Sequence, residues 1–147
     1  MDLKIIKPAT TVTMRLVKGE DLNHHGTLFA GRGAEWFVEA GFIAATQYIP
    51  PHNMICLKIH GMKFSKPVKA GEIIVYHSKI VHAGKTSLTA YVKVTHSYDN
   101  FIIVEGYITF VHVDKDTHPK AHGIIIIPEN EKEQFLQDQV IEILKQK

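Results

Sequence analysis

Two carboxylates four positions apart, Glu35 and Glu39, stand in an otherwise apolar stretch at residues 23–48 (NHHGTLFAGRGAEWFVEAGFIAATQY). From residue 34 to residue 45 every other position is apolar or glycine. At helical spacing i and i+4 share one face, so the two acids form a narrow polar stripe. A carboxylate aimed into a cleft from such a helix suits general acid–base work. Just upstream lie Asn23, His24 and His25, then the glycine-punctuated entry with Gly31 and Gly33, where a helix start offers free N–H groups to an anionic oxygen. The same residues also fit a solvated seam with an Arg32–Glu35 pair, and the two histidines fit capping or exposed loop positions.

The elements that must hold these groups follow from hydrophobic period and breakers. A helix of about four turns, apolar on nearly all faces, must be covered on nearly all faces, and it stops before Pro50-Pro51. Residues 10–17 alternate β-branched and apolar types and predict a strand; 18–26 form a polar loop. Downstream of the helix, residues 54–64 predict a strand with Gly61 as a bulge, and 65–71 a connection. Residues 72–82 alternate cleanly, with Ile74, Tyr76, Ser78 and Ile80 on one face. Residues 87–96 and 101–113 give two more strands, separated by turn signals at 83–85 and at Asp99-Asn100. The proline-broken stretch 114–123 is a loop or rim, and 129–145 is an amphipathic helix, acidic at its start and basic at its end.

This order, β–α–β–β–β–β plus a terminal helix, predicts an α+β fold in one domain: a long antiparallel sheet curled around one apolar helix. The core spans about residues 10–122 and the helical extension about 129–145. A sheet of this kind leaves an open edge, and one helix cannot cover everything, so at least a dimer is expected. A net charge of +2 over 147 residues gives no argument for nucleic acid or a membrane surface. The aliphatic run at 124–127 is far too short to span a bilayer, and the N-terminus lacks a sustained apolar segment. A lone Cys56 excludes a disulfide framework, and the expectation is a cytoplasmic protein.

Four segments in this order resemble the hotdog-fold acyl-CoA thioesterases. NHHGTLFAG at 23–31 is similar to the family's N-x-x-G-x-x-F-G-G entry to its central helix, with Ala30 in place of the first paired glycine. MKFSKPVKAGE at 62–72 is similar to its F-x-x-P-V-x-x-G-(E/D) connection. HAGKTS at 82–87 resembles its turn between middle strands, and TFVHVDKDTHPKAH at 109–122 its strand end and tail.

The resemblance implies hydrolysis of an acyl-CoA thioester in an active site shared between subunits. A helix carboxylate would act as base or nucleophile, an asparagine would position water or carbonyl, and helix-start amides would hold the oxyanion. Asn23 and Gly31 match their family positions. The family's acid lies fifteen positions after the asparagine, where this chain has Val38. Glu39 is one residue late and is favoured as the base; Glu35, one turn early, is the alternative. Gly33 stands where the family usually has a larger residue.

Gly84, Thr86 and Ser87 would lie along pantetheine or phosphates, with Lys66, Lys85 and Lys120 as partners for the coenzyme A phosphates, although each lysine also fits a solvated surface charge. Trp36 and Phe37 read as core and dimer packing. Neither metal nor redox cofactor is implied; coenzyme A enters as part of the substrate. A hydratase using His24 or His25 is a second reading. A non-catalytic acyl-CoA or acyl-carrier binding protein, with Val38 marking a lost base, is a third.

Overall fold

The computed structural model describes residues 2–146. Its elements are β1 (Lys4–Ile6), β2 (Thr11–Leu16), α1 (Ala30–Ala45), β3 (Met54–Phe64), β4 (Ile73–Ala83), β5 (Ser87–His96), β6 (Ile102–His112), β7 (Ile124–Ile126) and α2 (Glu131–Lys145). Five strands form one sheet in the order β2-β4-β5-β6-β3, with every neighbouring pair antiparallel. The sheet curls around α1, giving the α+β hotdog architecture expected from the sequence.

Alternation decides which side chains meet the helix. Ile74, Tyr76 and Ile80 of β4, Leu88, Ala90, Val92 and Val94 of β5, and Ile108 and Phe110 of β6 are buried in one core with Phe37, Ala40 and Ala44 of α1. Two polar residues on the same inner face grip the helix backbone. Ser78 Oγ donates to the Ala40 carbonyl at 2.8 Å and Tyr76 Oη to the Gly33 carbonyl at 3.3 Å. Each hydroxyl thereby keeps a partner in a place where an unpaired one would cost stability.

β3 is an edge strand with register shifts at Cys56/Lys58 and His60/Met62. The expected bulge at Gly61 is the second of these. Gly61 has φ 89°, and a Cβ on Gly106 of β6 would collide with its carbonyl oxygen, so the bulge and Gly106 require each other. Ile55, Leu57, Ile59 and Phe64 leave this edge strand exposed and apolar.

α2 lies on the outer face of the sheet. Leu136 and Val140 bury against Val81, with Tyr91 and Tyr107 beside them. Its start is fixed by Asn130, whose side chain accepts from the Glu133 N–H at 2.8 Å, and by a 2.6 Å ion pair between Glu133 and Lys79. The parallel β1–β7 pair was not expected from the sequence, because three-residue strands are too short for a period to register. No helix among the described residues is long and apolar enough to cross a membrane.

Candidate active site

The loop before α1 closes on itself through one side chain. Asn23 Oδ1 accepts from the backbone N–H groups of His25 (2.9 Å) and Thr27 (3.2 Å), and Asn23 Nδ2 donates to Thr27 Oγ1 at 3.2 Å. Gly26, at φ 78°, makes the tight reversal between them. With the oxygen occupied and one amide hydrogen still free, Asn23 is placed to donate to a ligand rather than to accept from it.

The helix that follows begins without a side-chain cap. The Arg32 and Gly33 N–H groups both bond to the Phe29 carbonyl, at 3.0 and 3.1 Å. Those of Ala30 and Gly31 have no acceptor among the described residues. The exposed Phe29 ring folds over Gly31, within 2.5 Å of where a Cβ would sit, so a side chain there would swing the ring aside. Two free donors at a helix N-terminus form a ready site for an oxyanion.

Asn23 and Ala30 stand at the mouth of a cavity of about 380 Å³. Phe64, Ser65 and Lys66 complete the rim, and the floor is made by Ile74, Tyr76, Val94 and Ile103, each about 1% exposed. Burial pushes the Tyr76 phenol well above its usual range, so it stays a neutral donor. The connection at 65–71 is braced from behind: Glu72 lies 2.6 Å from the buried His96 imidazole, whose far face stacks on Tyr98. The wall residues were legible only as an inner-facing alternation, and the His96 brace had no sequence signal.

Neither glutamate lines this cavity. Glu39 turns toward β2, where its carboxylate meets Arg15 at 2.5 Å while the guanidinium lies over the Trp36 ring. Glu35 is exposed and has no ion-pair partner among the described residues; the Arg32–Glu35 pair does not form, because Arg32 goes instead to the buried Asp21 at 3.6 Å. Glu35 stands one helical turn after Gly31, on an exposed position of α1. Val38 is half-buried against the core, on the flank that Phe42 shares with Phe110 of β6. His24 and His25 are exposed, ring beside ring at 4.0 Å, with no carboxylate partner among the described residues. Trp36 and Phe37 are buried in the core, as expected.

The residues expected along coenzyme A separate into two places. Lys66 is at the cavity rim, its ammonium over the Phe101 ring. Gly84, Lys85, Thr86, Ser87 and Lys120 gather at the opposite end of the sheet. There the Thr86 carbonyl accepts from His112 N–H (2.7 Å), and Lys120 N–H donates to the His112 carbonyl (2.9 Å). His122 joins the turn to the tail: Ile124 N–H donates to its Nδ1, so Nε2 carries the proton that reaches the Ser87 carbonyl at 2.9 Å. Gly84, Lys85 and His122 line a second cavity of about 380 Å³.

Comparison with known proteins bears on this geometry. The family model described as Thioesterase superfamily matches residues 25–100. An uncharacterised acyl-CoA thioester hydrolase of Bacillus subtilis is 21% identical over 145 residues, covering 96% of this chain and 83% of the relative. Among solved structures, the acyl-CoA hydrolase of Staphylococcus aureus in complex with butyryl coenzyme A, coenzyme A and coenzyme A disulfide superposes with a TM-score of 0.85. It is 24% identical and covers 99% of this chain and 87% of that one. An apo-hexameric acyl-CoA thioesterase gives 0.87 at 23% identity, covering 99% and 94%.

Proposed function

The chain belongs to the thioesterase superfamily, and from that premise we propose that it hydrolyses acyl-CoA thioesters to free acid and coenzyme A. The observation that carries the reading is the conjunction at the start of α1. Two unpaired amides and the free Asn23 donor stand together at the mouth of an apolar cavity. The acyl group enters the cavity, and the carbonyl oxygen takes the Ala30 and Gly31 N–H groups, with Asn23 Nδ2 fixing its orientation. A carboxylate takes a proton from water as the water oxygen attacks the carbonyl carbon. The tetrahedral oxyanion is held by the amides, and its collapse breaks the C–S bond and returns the proton to the departing thiolate.

The carboxylate is assigned to Glu35, because Glu39 is already engaged by Arg15. It is delivered by a partner subunit. Among the described residues no carboxylate lines the cavity within one protomer, and both the α1 face bearing Glu35 and Ile43 and the β3 edge are left uncovered. Two copies of one edge strand meeting across a two-fold axis pair antiparallel. The Phe64 end of one β3, at the cavity, then lies beside the Met54 end of the other. Met54 pairs with His112, next to Thr86 and Lys120. In such a dimer the Gly84–Ser87 turn and Lys120 of one subunit would come near the cavity of the other, where coenzyme A would leave it. The protein is accordingly a homo-oligomer built on this dimer.

The test is thiol release from a panel of acyl-CoAs. Glu35→Gln is expected to lower kcat by about 10²–10⁴-fold, and Glu39→Gln by much less. Unchanged turnover in both variants rules out the carboxylate mechanism. Val38, at the family's acid position, favours one other reading, a non-catalytic acyl-CoA binder. That reading requires tight acyl-CoA binding without thiol release by the wild-type protein.

A further inference from the structure

Resting on the hydrolase reading above and deepening it, we infer that Asp21 is a positioning residue for the oxyanion site. It ties the loop that carries Asn23 to the first turn of α1, so that the Asn23 amide and the Ala30 and Gly31 N–H groups are held to one oxygen. Residues 21–29 form an irregular hairpin. Its rungs are the Asn23 N–H on the Thr27 carbonyl (2.7 Å), the Leu22–Leu28 bridge, and the Phe29 N–H on the Asp21 carbonyl (2.8 Å). Asn23 stands near the tip. The base is Asp21 opposite Phe29, the residue that caps α1. The side-chain donor therefore lies within the hairpin and the free amides lie in the helix beyond its base.

Asp21 is the only buried acid among the described residues, 2% exposed. Its carboxylate reaches in two directions. Oδ2 accepts from the Lys18 N–H at 2.9 Å across the short turn Gly19–Asp21, and Oδ1 lies 3.6 Å from Arg32 Nε in the first turn of α1. Arg32 takes this partner although Glu35 stands three positions along the same helix, a spacing at which ion pairs form. With its carbonyl on Phe29, Asp21 thus holds the turn before the hairpin, the hairpin base and the helix after it. At 3.6 Å the ion pair is longer than a hydrogen bond, and burying a carboxylate for such a contact returns little net stability. What the pair fixes is direction. The first turn of α1 hangs on the Phe29 carbonyl, so a rotation there re-aims the two amides relative to Asn23. A displacement of about 1 Å at such a site costs about 10²-fold in rate.

The experiment uses the full chain and saturated acyl-CoAs from acetyl to palmitoyl. Thiol release gives kcat and KM, and thermal melts confirm that each variant is folded at the assay temperature. Asp21→Asn keeps an acceptor for Lys18 and the carbonyl for Phe29, and removes the charge that Arg32 answers. Arg32→Gln, at a half-exposed position, cuts the same link from the helix side. Each is expected to lower kcat about 10–10²-fold with KM within about threefold of wild type, because only the transition state loses a contact. The double variant is expected to be no worse than the worse single one, since both cut one link. Arg32→Lys keeps the cation and is expected to recover most of kcat, the contact being a charge pair rather than a bidentate fork. Glu133→Gln breaks the Lys79 pair beneath α2 and serves as the comparison: it lowers the melting temperature and leaves kcat in place. If Asp21→Asn and Arg32→Gln keep kcat, or raise KM at constant kcat, the inference is overturned while the hydrolase reading stands. A wild-type protein that releases no thiol overturns both.

Discussion

In the proposed reaction Asn23 does two separable jobs, and substitution can part them. Its Oδ1 holds the loop through two backbone N–H groups, while its amide nitrogen has one hydrogen left that the proposal gives to the substrate. Asn23→Asp retains the acceptor and removes the donor, so the loop should survive while kcat falls about 10²–10³-fold. Asn23→Ala removes both, adding a stability loss of about 1–2 kcal/mol. Urea melts alongside thiol-release assays read the two effects; a variant series in which stability and kcat fall strictly together contradicts the division. At this scale the sequence was informative about residue type and weak about direction. Asn23, Gly31 and the two glutamates were all visible in the string. A difference of one position on a helix turns a side chain by about 100°, and only the Arg15 contact from a strand distant in sequence shows which way Glu39 faces.

Among the elements, the far end of the sheet carries a pH dependence. Burial lowers the proton affinity of His82 and His122, and His82 Nδ1 is buried without a partner. Both imidazoles therefore titrate lower in the folded chain than in the unfolded one, which binds more protons as the medium acidifies. Stability is full above the unfolded value of about 6.5 and is lost as pH falls below it. Urea denaturation at pH 7.5 and 5.5 should show the decline, and His82→Gln should reduce it; an identical slope in that variant contradicts the assignment. The β3 bulge gives a sharper expectation. Gly106→Ala sets a methyl against the Gly61 carbonyl, at a stability cost of about 2 kcal/mol or more, measurable by thermal melts. The long strands and the central helix were legible because period-2 alternation and an apolar helical run persist over many residues. The β1–β7 pair was not, since its partners are short and joined only through tertiary contact. Gly106 was not either, because its constraint comes from a neighbouring strand.

For the whole molecule, both sheet edges stay open, β3 with Ile55, Leu57, Ile59 and Phe64 exposed and β2 with Val12, Met14 and Leu16 exposed. In the proposed arrangement a second copy completes the apolar β3 edge, the exposed flank of α1 and the cavity together. The sequence showed that some edge had to be covered but could not show which one, because strand order is a property of the folded sheet. The shared site makes a prediction that no single-chain site can meet. Asn23→Ala and Glu35→Gln subunits, each inactive alone, are co-expressed with different tags, the mixed dimer is purified, and thiol release is measured from an acyl-CoA that the wild-type protein hydrolyses. The account predicts that about half of wild-type activity returns, because one of the two sites then holds both intact groups. Mixed dimers as inactive as either parent would contradict it.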